Sequence, residues 1–104
     1  MNDNRAWLWF LQRFERDDDS SLDSLVEDYG LDVMVCGHSL ITAAVGKGAI
    51  KCLRKLIDLG ASLHPKKGWE PVDKAMLSKR KDCLVLLIEE GAFFPFYLAL
   101  TAEK

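Results

Sequence analysis

Cys36 and His38 flank Gly37, and a thiol beside an imidazole is the raw material of a nucleophile and its base. Catalysis needs more than the pair. Side chains two apart in sequence rarely meet productively, and no third residue is evident that would orient the histidine. Adding His64 gives a possible Cys–His–His metal set, but none of the three belongs to a closely spaced ligand pair of the zinc kind. Gly46-Lys47-Gly48 has two of the glycines of a phosphate loop, without the preceding strand or the further glycines. Core packing accounts for Cys52 and Cys83, since free cysteine is among the most buried residue types. No catalytic, metal or cofactor-binding set is therefore assigned. Lys79-Arg80-Lys81, with Lys47, Lys66 and Lys67, is a different kind of signal. Such a patch, with Trp69 beside it for stacking, has the ingredients of a nucleic-acid surface.

The whole-chain balance runs the other way: net charge is -2 and the pI about 5.6. The charge is also segregated. Residues 1–36 carry three basic and nine acidic side chains, residues 37–81 ten and three, and residues 82–104 one and four. An acidic end and a basic middle offer two different faces to partners. With 104 residues, 49% hydrophobic and 29% charged, the chain has the make-up of one folded domain and not of a disordered segment. The longest apolar run, Cys83–Ile88, is too short to span a bilayer, and the uncharged stretch from Gly91 to Ala102 is interrupted by Pro95. Met1–Arg5 lacks the basic and apolar regions of a secretory signal. Three cysteines with no Cys-x-x-Cys pair point to a reducing compartment, so the expected location is cytoplasmic.

The elements that would position these residues repeat. Shifted by 31 residues, Gly37 falls on Gly68, Ala44 on Ala75, Cys52 on Cys83, Leu53 on Leu84, Leu56 on Leu87, Ile57 on Ile88 and Gly60-Ala61 on Gly91-Ala92. Each copy has one internal order. A glycine precedes a first helix, started by a Ser39 N-cap in one copy and by Pro71 in the first turn of the other. Small residues follow (Ala43, Ala44; Ala75), which allow close helix approach. A break comes next, at Gly46–Gly48 or Ser78–Arg80. The second helix carries Leu53, Leu56 and Ile57, or Leu84, Leu87 and Ile88, and ends at Gly60 or Gly91 in the left-handed position that suits glycine.

This pattern resembles the ankyrin repeat, whose consensus runs Gly-x-Thr-Pro-Leu-His-x-Ala-Ala-x-x-Gly and then Val-x-x-Leu-Leu-x-x-Gly-Ala. Gly37–Gly48 with Leu53, Leu56-Ile57 and Gly60-Ala61 forms one copy; Gly68–Met76 with Leu84, Leu87-Ile88 and Gly91-Ala92 forms the other. Both depart from the Thr-Pro-Leu-His tetrad. The second has Lys79 for the inter-helix glycine. Further out, Leu22, Leu25 and Val26 have the second-helix form, with one residue inserted before Gly30 and with Ser20 or Ser21 as N-cap. Arg5–Phe14 precedes them, with Trp7, Phe10, Leu11 and Phe14 on one face. Trp9 lies roughly 200° around from Trp7 at 100° per residue, which leaves either one of the two partly exposed or the cap helix buried on two sides. Phe94–Ala99 resembles the start of another first helix.

The resemblance implies an all-α, ankyrin-repeat-like solenoid of about seven helices, in stacked helix–turn–helix pairs with short hairpin connections. Residues 1–36 would be an N-terminal capping repeat, 37–67 and 68–93 full repeats, and 94–104 a truncated C-terminal cap helix. Capped at both ends, the chain is expected to be one complete domain and a monomer when free. The family's members are binding scaffolds without catalysis, so the expected partner is another protein, with no membrane. Carried over by position, the contact residues would be Val35, Cys36, His38, Lys66, Lys67 and Trp69 on the hairpins and Gly46, Lys47, Leu77 and Ser78 on the inner helices. Trp69 is the expected anchor, and the lysines near it would steer an acidic partner. The module would occlude or tether its partner. One specific form is a bacterial immunity protein, or antitoxin, that inhibits a cognate toxin, with the acidic N-terminal cap meeting a basic one. The alternative is a nucleic-acid-binding regulator that uses the Lys/Arg patch.

Overall fold

The computed structural model describes residues 6–65 and 68–91. They form six helices: α1 (Ala6–Arg16), α2 (Leu22–Tyr29), α3 (Leu40–Gly46), α4 (Ile50–Asp58), α5 (Pro71–Leu77) and α6 (Lys81–Glu89). Among the described residues the only β-type pairing is a single antiparallel bridge between Val35 and His38. Consecutive helices pack as pairs, α1 with α2, α3 with α4 and α5 with α6. The pairs stack in chain order, so that α3 touches both α1 and α5, and α4 touches both α2 and α6. The chain is thus all-helical in its described part, with two rows of helices. The seventh expected helix, at Phe94–Ala99, and the terminal cap at 94–104 lie outside the described residues, as do Lys66 and Lys67.

Burial follows the stacking. In α1 the buried residues are Ala6, Phe10 and Phe14, one stripe at i, i+4 and i+8, with the two phenyl centroids 6.3 Å apart. At 100° per residue Trp7 lies about 60° to one side of Phe10 and Trp9 about 100° to the other. Both indoles are therefore partly exposed, at 38% and 42%, and Trp7 does not share the core face with Phe10. The middle first-row helix, α3, has neighbours on several sides, and every residue from Leu40 to Val45 is buried. Ala43 and Ala44 keep it slim enough for that.

The second-row helix α4 buries Cys52, Leu53 and Leu56, and α6 buries Cys83, Leu86 and Leu87. The expected ridge in α6 included Leu84 and Ile88, but both are only half-buried. Leu86 takes the inward place instead. Its counterpart 31 positions back is Lys55, which pairs with Asp23 at 3.2 Å, so the repeat alone does not reveal it.

Two expected starts hold. Ser39 accepts a hydrogen bond from the Thr42 N–H at 3.3 Å, and Pro71 opens α5. The third differs. Ser21 occupies the N-cap of α2 without capping it, and its hydroxyl accepts from Arg13 Nε at 2.7 Å, tying α2 to α1.

The period also appears in the backbone. The turns inside the three pairs each contain one residue with positive φ: Asp17 at 50°, Gly48 at 68° and Lys79 at 58°, spaced by 31. The chemistry at these places varies while the conformation is kept. At Asp17 the conformation has a second consequence. The carboxylate oxygen accepts from the N–H of Lys51 at 2.9 Å and of Cys52 at 3.1 Å. Ala49, at the N-cap of α4, has no side-chain oxygen, so the turn of the first pair caps a helix of the second.

Candidate partner-binding face

The segment leading into α3 reverses direction at Cys36-Gly37. Both residues have positive φ, 53° and 83°, as a tight type I′ reversal needs. Val35 and His38 exchange backbone hydrogen bonds of 2.8 and 2.9 Å. Alternation then sends Val35 inward and leaves Cys36 at the tip. Val35 is 1% exposed and belongs to the core, which removes it from the expected contact set. Cys36 is exposed. No hydrogen bond joins its thiol to the His38 ring among the described residues, and no group of three His, Cys, Asp or Glu side chains there could hold a metal ion.

The next connection packs onto this hairpin. Gly68 has φ of 81°, and a Cβ on it would lie 2.7 Å from the Gly37 carbonyl oxygen, closer than any side chain tolerates. A glycine is required there by close backbone approach. The residue that follows is fixed from below: the Thr42 hydroxyl, buried in α3, donates to the Trp69 carbonyl oxygen at 2.8 Å. The backbone of Trp69 is pinned while its side chain remains 47% exposed.

Lys74, one helical turn into α5, connects several of the expected residues although it is not one of them. Its ammonium stands 5.7 Å from the centre of the Trp69 ring, within cation–π range. Its side chain crosses Gly46, where an added Cβ would meet Lys74 Cε at 2.8 Å. Gly46 is thus a passage for Lys74 and is itself half-covered. The same ammonium acts on His38. Burial, and then the Lys74 charge, hold the imidazole below its ordinary pKa, and the ring is mainly neutral at pH 7. Its buried Nδ1 has no hydrogen-bond partner among the described residues. Further along α5, Leu77 is 64% exposed and Ser78 half-buried. Lys47 is exposed at the end of α3 and pairs with Glu15 at 3.6 Å.

Comparison with protein-family models finds no match for this chain, and no curated protein matches it. The geometry alone therefore describes the site: an exposed indole on a pinned backbone, an ammonium near its ring and a protruding leucine, all on one short helix and its lead-in. A second feature has no counterpart among the sequence expectations. An open cleft of about 570 Å³ lies between the loops Leu31–Met34 and Gly60–Pro65, floored by Leu40 and Ile41. His64 lines it and faces Glu70 at 3.6 Å. Apart from Gly60-Ala61, which mark a helix end, the residues of these loops carry no periodic signal, and nothing in the residue pattern brings the two loops together. Lys74 escapes such a reading for a related reason, since a lone lysine on a helix usually marks a solvated face. Among the described residues, no helix is long and apolar enough to cross a membrane.

Proposed function

We propose that the chain is an ankyrin-type stack that acts as a protein-binding module, occluding or tethering a protein partner through the face that carries Trp69, Lys74 and Leu77. The observation that carries this reading is Trp69 itself. Large aromatics anchor protein interfaces best when they are rigid before binding, because little entropy is then lost on docking. Here the backbone bond from Thr42 supplies the rigidity and 47% exposure supplies the contact area. The reading involves no catalysis and no cofactor.

A narrower form is inhibition of a cognate toxin by a cytoplasmic monomer. It is supported by the exposed acids Glu27 and Asp28 on α2, which together with Asp23, itself paired with Lys55, make that helix acidic and suited to a basic protein. The test of the broad reading is affinity capture from the native cell with wild-type chain and Trp69→Ala in parallel. A protein retained by the first and lost by the second supports it; equal retention by both removes this face from consideration. The toxin form is tested by expressing the neighbouring gene's product with and without this chain, and protection of growth is the expected result.

A further inference from the structure

Among the described residues, Lys74 is a cation held in place without an anion. Its aliphatic part lies against Gly46, its ammonium against Trp69, and among the described residues no carboxylate forms an ion pair with it. The acids nearest in sequence are otherwise placed. Glu70 faces His64, and Asp73 is exposed on the adjoining side of α5. A surface lysine normally surrenders much rotamer entropy when it pairs with a carboxylate, which is one reason exposed ion pairs contribute little. Lys74 has already lost part of that freedom. It is also half-buried, beside a mainly neutral imidazole and between the exposed apolar surfaces of Trp69 and Leu77. An anion arriving there would meet a cation whose position is already set, so that a charge-assisted hydrogen bond forms at a smaller cost in side-chain entropy.

We infer that Lys74 is the receptor for a carboxylate of the partner: an aspartate or glutamate side chain, flanked by apolar residues, docks on the ammonium with its neighbours against Trp69 and Leu77. This deepens the protein-binding reading and rests on it. The charge of the surrounding chain agrees, since residues 37–81 carry ten basic and three acidic side chains. Gly46 then contributes to the site by leaving room for the lysine to lie flat, so that the ammonium reaches the indole.

The probe is a displayed library of random dodecapeptides selected on the immobilised full chain, followed by synthesis of the most enriched peptide and its Asp/Glu→Asn/Gln counterpart. The expected result is an enriched acidic residue beside apolar ones. Lys74→Met, which keeps the aliphatic length, should weaken the synthetic peptide about tenfold or more, as loss of a charge-assisted hydrogen bond does. The amide peptide should lose a similar factor on the wild-type chain, and the two changes together should lose no more than either alone. The amide peptide leaves the protein untouched, so its result stands whatever Lys74→Met does to folding. Enriched peptides without acids, an amide peptide that binds as well as its parent, or losses that multiply would overturn the assignment of Lys74. The broader reading survives those outcomes when Trp69→Ala still weakens the same peptides. Failure to enrich any peptide on the wild-type chain counts against both.

Discussion

Replacing Asp17 with alanine should destabilise the fold by about 2–3 kcal/mol, a large effect for a partly exposed polar residue. Two contributions combine. The carboxylate accepts from the N–H groups of both Lys51 and Cys52, so its loss leaves two donors at the start of α4 unpaired. Lys51 is exposed and water can replace the bond, whereas Cys52 is buried and its N–H is less easily served. Loss of a cap costs typically about 1 kcal/mol and up to about 2. The rest comes from the backbone, because φ at this residue is 50° and alanine tolerates that region less well than aspartate. Three substitutions separate the contributions. Asn keeps an oxygen acceptor and accepts the left-handed conformation, and should cost less than about 1 kcal/mol. Gly loses the cap but fits the backbone, and should cost about 1–2 kcal/mol. Ala loses both. The assay is urea unfolding followed by far-ultraviolet circular dichroism, comparing midpoints at constant slope. The order Asn, Gly, Ala is the discriminating result. An alanine variant within about 0.5 kcal/mol of wild type, a typical neutral surface change, would refute the cross-pair cap.

Four further outcomes are expected. Leu56→Ala and Leu87→Ala, which remove fully buried side chains, should each cost about 2–5 kcal/mol in the same unfolding assay, and near-wild-type midpoints would mean that the stacking register is wrong. Lys79→Gly should stabilise by about 0.5–1 kcal/mol, because φ of 58° strains a lysine and suits glycine; a lowered midpoint would contradict the left-handed turn. Burial, and then the charges of Asp17, Asp19 and Asp18, push the Cys52 thiol up to about 12 from an ordinary 9.0. The unfolded chain therefore loses this proton first, so stability should decline as pH rises from about 9 towards 12, and Cys52→Ala should flatten that decline in midpoints measured across the range. Trp69→Ala should weaken partner binding by at least about 1 kcal/mol in calorimetric titration, with little change in the unfolding midpoint.

The features legible in the residue pattern are those set by periodic chemistry. Leu53, Leu56 and Leu87 had to be buried because an apolar stripe at helical spacing has no other stable place, and Ser39 and Pro71 carry their helix-start signals locally. Gly37 and Gly60 are legible for the same local reason. What escaped the pattern depends on meetings across the stack. Asp17 reads as one of three consecutive acids, yet it alone reaches α4, 34 residues on in the case of Lys51. Lys79 hides a left-handed turn under a residue type that does not advertise one. Val35 reads as a hairpin residue until the two-residue reversal at Cys36-Gly37 fixes which way it points. Lys74 acquires its place only because Gly46, from the preceding pair, has no side chain.

Those cross-stack meetings share a direction. The first and second pairs each supply a polar group or a space that the next pair uses. Asp17 in the first caps α4 in the second, Thr42 in the second fixes the backbone ahead of α5, and Gly46 in the second makes room for Lys74 in the third. Apolar stripes alone would hold the rows of helices together while permitting small slides between layers, since dispersion contacts are non-directional. Hydrogen bonds near 3 Å are directional, and a slide of a fraction of a turn would break them. The stack is therefore pinned layer to layer by a few polar contacts, and the exposed face inherits that registration. Trp69 and Lys74 sit beside one such contact, the Thr42 bond to the Trp69 carbonyl oxygen, and beside the space that Gly46 leaves for the Lys74 side chain. On the proposed reading, the backbone that carries the indole is held by a bond from the preceding pair, and an interface anchor gains from a scaffold that holds it still.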